Sequence, residues 1–140
     1  NGHFENSWFI VEGIDLALRE LRWDGVTDVK VVVLSYWDFV HKEAIEKLYP
    51  AGFPGWDVEH GGVLETSLML ALHPQLVQLE RAVDHPAATF PPYDVYPVKP
   101  EWTPCSGTLS SPKEASVEKG HILLKVCTEG IVGALRAEFG

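Results

Sequence analysis

Four short stretches of this chain hold residue types that do chemistry. The first is Asn1-Gly2-His3-Phe4-Glu5-Asn6. An imidazole and a carboxylate two residues apart fall on one side of an extended segment, and the pair suits a zinc or manganese ion. Gly2 lets another group approach the backbone closely. The same residues equally suit a plain helix entry, with Glu5 favoured by the helix dipole. The second stretch is Gly55-Trp56-Asp57-Val58-Glu59-His60-Gly61-Gly62. His60 is the side chain suited to move protons near neutral pH, and Trp56 offers a flat apolar face to a small planar ligand. Glycines at both ends would let such a loop close over a site; the other reading is a surface loop whose Trp56 is tucked into the core. The third is Glu65, a carboxylate in an apolar helix. It either supports His60 or is an ordinary charge in a first helical turn. The fourth is Trp37-Asp38, directly after an apolar run. A ligand pocket beyond a strand end and a generic core aromatic are both open for Trp37. His41, His73, His85 and His121 lack metal-ligand spacing and are read as non-catalytic.

These residues need elements to hold them. Ile10, Ile14, Ala17, Leu18 and Leu21 recur at helical spacing and predict an amphipathic helix over 6–23, with Asn6 or Ser7 as cap and Gly25 as stop. The run Lys30-Val31-Val32-Val33-Leu34-Ser35-Tyr36 is continuous and β-branched. It predicts a strand buried on both faces, as in a parallel sheet covered by helices. A short helix over 41–48, a Gly/Pro loop over 50–62 and a mostly apolar helix over 63–72 follow. Pro74 ends that helix. Residues 82–84 and 93–98 are candidates for further short strands. Seven of the ten prolines lie between Pro86 and Pro112. That stretch also holds Phe90, Tyr93, Tyr96 and Trp102, more aromatics than a disordered linker spends, so we read 86–112 as an ordered arm. The last helix is predicted over 113–138; its glycines, Gly120, Gly130 and Gly133, weaken it and suit close approach of another element. Alternating strand and helix points to an α/β fold, with an incomplete sheet.

Bulk properties narrow the class. At 140 residues the chain can bury one core, and 46% hydrophobic with 22% charged residues describes a folded domain rather than a disordered one. A net charge of -9 repels phosphates and anionic lipids, which sets nucleic acid and membrane surfaces aside as partners. No apolar run nears the roughly 18 residues of a membrane span, and no signal peptide is visible. Cys105 and Cys127 lie far apart without a CxxC partner, which reads as two reduced thiols of a cytoplasmic protein, a disulfide or a zinc thiolate site being the other readings. The start at Asn1 rather than Met leads us to expect a processed or truncated protein.

Together these stretches resemble the creatininase (creatinine amidohydrolase) family, in its C-terminal half. The likeness rests on Asn1-Gly2-His3 with Glu5-Asn6, Leu34-Ser35-Tyr36-Trp37-Asp38-Phe39, and Gly55-Trp56-Asp57 with Glu59-His60-Gly61-Gly62. It continues in Leu64-Glu65-Thr66-Ser67-Leu68-Met69-Leu70, Thr89-Phe90-Pro91-Pro92-Tyr93-Asp94-Val95 and Gly107-Thr108-Leu109-Ser110-Ser111. The resemblance implies a three-layer α/β/α sandwich, incomplete in a single domain over 1–140. It implies metal-dependent hydrolysis of the cyclic amide of creatinine to creatine, with Zn2+ and Mn2+ as cofactors. His3 is then one metal ligand and Glu5 another, with Glu5 also taking part in catalysis. Trp37 lines the pocket, Trp56 lies on a loop that closes over substrate, and Asp57 and His60 touch substrate. His60 also serves as proton shuttle, and Glu65 supports it. Family members assemble as hexamers, so a homo-oligomer is expected. At Phe4 the family usually carries Tyr, so any substrate contact there falls to the backbone. The family's remaining ligands, a Glu, a His and a bridging Asp, lie in the N-terminal half, which this chain does not contain. The chain alone is therefore expected to be inactive. Two other readings are a family hydrolase of another amide or formamide, and a non-catalytic assembly fragment.

Overall fold

Helical periodicity becomes helix at four places. The computed structural model describes residues 1–140 and forms α1 (Asn6–Trp23), α2 (Lys42–Leu48), α3 (Val63–Leu72) and α4 (Val117–Phe139), with short 3-10 turns between them. Gly25, at φ +82°, ends α1. Its N–H donates to the Arg22 carbonyl at 3.2 Å, and that of Val26 to Leu21 at 2.8 Å. This paired closure needs a left-handed residue, which glycine adopts at no steric cost. α4 starts later than its periodicity predicts. Pro112 accepts the Ala115 N–H at 2.9 Å in a turn, and Ser116 Oγ then accepts the Lys119 N–H at 3.2 Å as the helix cap.

The chain divides into two compact units, Asn1–Val40 with Cys127–Gly140, and His41–Val126. In the second unit Leu48, Leu64 and Leu123 are fully buried, joined by Ala44, Tyr49, Val58, Val63 and Ala115. Burying each leucine contributes about 2 kcal/mol. Gly120 lets α4 lie directly against α3: a Cβ there would collide with the Ser67 carbonyl. Ser67, itself buried, accepts the Ser116 N–H at 3.1 Å. This α3–α4 core carries the 55–62 loop. The proline-rich segment is tied to it as well. Ala88 N–H donates to Leu109 O at 2.8 Å, and the His85 ring meets Thr108 Oγ1 at 2.9 Å.

In the first unit, α1 buries no residue completely. Phe9 and Trp23 stand 76% and 81% exposed, so the helix is far less covered than its amphipathic pattern suggests. Phe39 packs where Gly130 has no side chain; a Cβ at that position would overlap its ring. Lys30 Nζ donates to the Glu138 carbonyl at 2.6 Å and closes the C-terminal turn of α4. Both cysteines are free, Cys105 exposed and Cys127 buried. No helix is long and apolar enough to cross a membrane.

The α/β expectation is corrected here: no residue lies in a strand, so the chain does not form a three-layer α/β/α sandwich. The run 30–35 carries no regular structure and Tyr36 already belongs to a 3-10 turn; Val31 and Val33 are about half exposed, Val32 and Leu34 are more covered, and Ser35 is buried. A strand enters a sheet only when a second strand meets its N–H and C=O groups. The one ladder-like exchange is with Asn1, whose amino group donates to Leu34 O at 2.8 Å and whose carbonyl accepts the Tyr36 N–H at 3.3 Å. Residues 82–84 and 93–98 are also irregular. Pro86 just beyond the first and Pro97 within the second remove backbone donors that a ladder needs.

Candidate active site

The candidate residues fall into two sets, one in each unit. In the first, Asn1 organises the turn that leads into α1. Its side-chain oxygen accepts the His3 N–H at 3.1 Å and its amide donates to the His3 carbonyl at 2.9 Å. Asn6 N–H then closes onto His3 O at 3.3 Å and Ser7 N–H onto Phe4 O at 3.1 Å. This turn, rather than strand alternation, brings His3 and Glu5 together: Nε2 lies 3.8 Å from Oε2. Glu5 is the residue before the helix and makes no capping hydrogen bond, so neither Asn6 nor Ser7 caps α1. Phe4 points outward and meets Trp8 edge-on, ring centroids 6.0 Å apart.

Trp37 sits in a second tight turn, Tyr36–Phe39, closed by a reciprocal box: Ser35 N–H donates to Asp38 Oδ2 at 2.7 Å and Asp38 N–H to Ser35 O at 3.1 Å. Asn1 also reaches Ser35 Oγ at 3.2 Å, which docks the His3 turn on the Trp37 turn. Trp37 is half-buried, with its ring edge against Tyr36 at 5.0 Å.

In the second unit the loop enters at Gly55, φ +116°, a conformation reserved for glycine. Trp56–Val58 form a single 3-10 turn that buries Val58 and leaves Asp57 outside. Trp56 is 42% exposed and meets Phe53 edge-on, ring centroids 5.0 Å apart. His60 is exposed on a backbone fixed from three directions. Its carbonyl accepts the Leu109 N–H at 2.9 Å. Before it, the Glu59 carboxylate takes the Tyr49 hydroxyl proton bond on one oxygen and the Leu64 N–H at 2.7 Å on the other. After it, Gly61 N–H donates to the Glu65 carboxylate. Glu65 thus meets the loop through the residue following His60. Gly61, at φ +61°, allows the chain to turn there.

Burial pushes the Glu59 carboxyl above the usual carboxylate range, although Tyr49, Leu64 and Glu65 donors pull the other way; the neighbouring Glu65 charge adds to the rise. Burial and the adjacent Glu59 likewise raise the Tyr49 hydroxyl. It remains a donor at every physiological pH.

His3 and Glu5 fit part of a metal shell. They are a nitrogen and an oxygen donor, adjacent and solvent-facing, of the kind zinc and manganese take. They are only two, and no group of three or more His, Cys, Asp or Glu side chains gathers anywhere in the chain. Sequence reasoning overlooked three organising residues. Asn1 was read only as the start of a motif. Tyr49 and Phe53 were not singled out, although aromatics at 49, 53 and 56 form a regular series leading into the loop.

A family model described as creatininase, creatinine amidohydrolase, matches residues 1–135. The creatinine amidohydrolase of Pseudomonas putida is 70% identical over 140 residues, which are 99% of this chain and 54% of that protein. Among solved structures, a manganese creatininase superposes with a TM-score of 0.95 at 69% identity, over 99% of this chain and 55% of that one. A glutamate-to-glutamine creatininase mutant of Zn-Zn type gives 0.96 at 68%, covering 99% and 54%. The same kind of mutant complexed with creatine gives 0.95 at 68%, covering 99% and 55%. The chain spans about half the length of each of these relatives.

Proposed function

Since the chain belongs to the creatininase family, we propose that it forms part of a metal-dependent amidohydrolase that opens creatinine to creatine. One observation carries the reading. The 70% identity to a creatinine amidohydrolase runs along 99% of the chain, and the family match over residues 1–135 contains every candidate site residue. The creatine complex and the Mn and Zn-Zn forms among its relatives support the substrate and the metals.

His3 and Glu5 would supply two of the ligands to a zinc and manganese pair. Those ions, when bound, polarise a carbonyl and acidify a water. The chain's own groups do the rest. Trp37 and Trp56 offer flat faces to a planar five-membered ring, and Asp57 accepts hydrogen bonds from its guanidine N–H groups. At Phe4 only the backbone is available to substrate. Water oxygen bonds to the carbonyl carbon, the carbon–nitrogen ring bond breaks, and His60 delivers a proton to the departing ring nitrogen. Glu5 takes the water's proton, and Glu65 keeps the loop backbone in place. We assign the working protein to the cytoplasm and to a homo-hexamer, as the family resemblance implies. The segment 86–112 serves as an arm of the domain.

The test is a chimera in which the part of the Pseudomonas putida relative not spanned by this chain is joined to it. Loaded with zinc or manganese, it should convert creatinine to creatine, and His60→Asn should lower kcat about 100-fold. A folded, metal-loaded chimera that leaves creatinine untouched but hydrolyses another amide or a formamide would move the reading to that substrate. One that hydrolyses neither would leave an assembly role. The chain by itself should show no turnover, because two donors do not complete a metal shell.

A further inference from the structure

We propose that Tyr49 positions both working side chains of the 55–62 loop, its hydroxyl acting on His60 through Glu59 and its ring acting on Trp56 through Phe53. The inference rests on the reading above in one respect, that His60 and Trp56 are the residues that meet substrate.

Tyr49 is 8% exposed and sits where α2 ends, its N–H held by the Ile45 carbonyl at 2.8 Å. Two arms leave it. The hydroxyl donates to the Glu59 carboxylate, whose other oxygen is pinned by the Leu64 N–H at the start of α3. Glu59 is covalently next to His60, so the clamp fixes the backbone that presents the imidazole. The ring packs on Phe53 at 5.0 Å with a 55° tilt, and Phe53 meets Trp56 edge-on at 5.0 Å. Lys119 Nζ lies 5.9 Å from the Tyr49 ring centroid and joins the hub to α4. The glycine at 62 belongs to the same device. A Cβ there would sit 2.5 Å from Ser110 Oγ and 2.6 Å from Glu59 Oε2, so its bare backbone is what lets the carboxylate lie in place. Ser110 is buried, and its hydroxyl has no protein partner.

A plain core tyrosine would also bury its ring and satisfy its hydroxyl. It would not act on two loop residues through two separable routes, and that difference can be measured. In the isotope-labelled 140-residue chain, the Trp56 indole N–H signal is identified by its loss in Trp56→Phe, and the His60 ring signal by its loss in His60→Asn. Tyr49→Phe removes the hydroxyl arm alone and should move the His60 ring signal beyond its line width while leaving Trp56 in place. Phe53→Leu removes the ring arm alone and should do the reverse. Glu59→Gln stands in for the hydroxyl arm, and Phe53→Met for the ring arm, wherever thermal melting shows that the first variant has not folded. Any other pattern overturns the proposal, whether a signal that stays put when its own arm is cut or a single cut that moves both. These spectra need neither metal nor substrate. A chimera that fails to turn over creatinine while the two signals separate as expected removes the functional reading only, and the converse removes this one only.

Discussion

The His3–Glu5 turn and the His60 loop are held by opposite means. The turn is knitted by Asn1 through short polar bonds, and its two donors face solvent with side chains 56% and 68% exposed. The loop is held by groups drawn from a packed core: Val58, the Glu59 carboxylate, Leu64 N–H and the Tyr49 hydroxyl. The difference suits the roles proposed for each. A metal ligand is drawn into place by the ion it binds, so its free energy of ordering is supplied on binding. A proton donor is not drawn in by an ion and must be aimed beforehand, since a misplacement of about 1 Å can cost on the order of 100-fold in rate. Disturbing the loop should therefore cost folding stability, whereas disturbing the turn should cost metal binding and little else.

The largest effect is expected at the base of the loop. Leu64→Ala leaves a cavity under a fully buried side chain and should lower the unfolding free energy by about 2–5 kcal/mol in urea titrations. Gly62→Ala drives a methyl group into the Glu59 carboxylate and Ser110 and should cost about 1–3 kcal/mol in the same measurement, through overpacking alone. Removing the Tyr49 hydroxyl by Tyr49→Phe should cost roughly 1 kcal/mol. In the creatinine-hydrolysing chimera it should lower kcat about tenfold with KM nearly unchanged. At the small end, His3→Ala should shift stability by no more than about 0.5 kcal/mol, as for an exposed site, yet weaken the uptake of zinc or manganese by the chimera, followed by equilibrium dialysis.

Acidity sharpens the contrast. The folded-state pKa of Glu59 lies above its ordinary value of 4.5 because the carboxyl is buried. The stability linked to it is thus fully present below that value and is lost as pH rises through the folded pKa. Wild-type chain should accordingly exceed Glu59→Gln in stability by a wider margin at acid pH than at neutral pH, as read by paired denaturant titrations. A margin that widens as pH rises would show that the carboxylate is better accommodated than its burial implies.

Much of this was legible from residue order. Helical periodicity located α1 and α3 to the residue, because their spacing and their flanking Gly25 and Pro74 agree. The positions of Trp56, Asp57 and His60 on a glycine-bounded loop were legible for the same reason. The run 30–36 misled. Its β-branched residues favour an extended backbone, but sheet formation depends on a second strand, which no local pattern reports. The pairing of His3 with Glu5 was found for a wrong geometric reason, since a turn stabilised by Asn1 does what alternation was expected to do. Tyr49 escaped notice because its two arms reach residues 4 and 10 positions away through tertiary packing. A hydroxyl's partner cannot be read from spacing outside a regular helix.

The stretch Lys30-Val31-Val32-Val33-Leu34 carries one further consequence. It is strongly β-branched, about half exposed at Val31 and Val33, and has no neighbouring strand. Such a segment is a template for fibril-like self-stacking between molecules. Lys30 is its only charged guard, and that ammonium is already engaged by Glu138. Concentrated solutions of this chain should gel or bind amyloid dyes sooner than a chain with lysine at position 32, whatever the state of its chemistry.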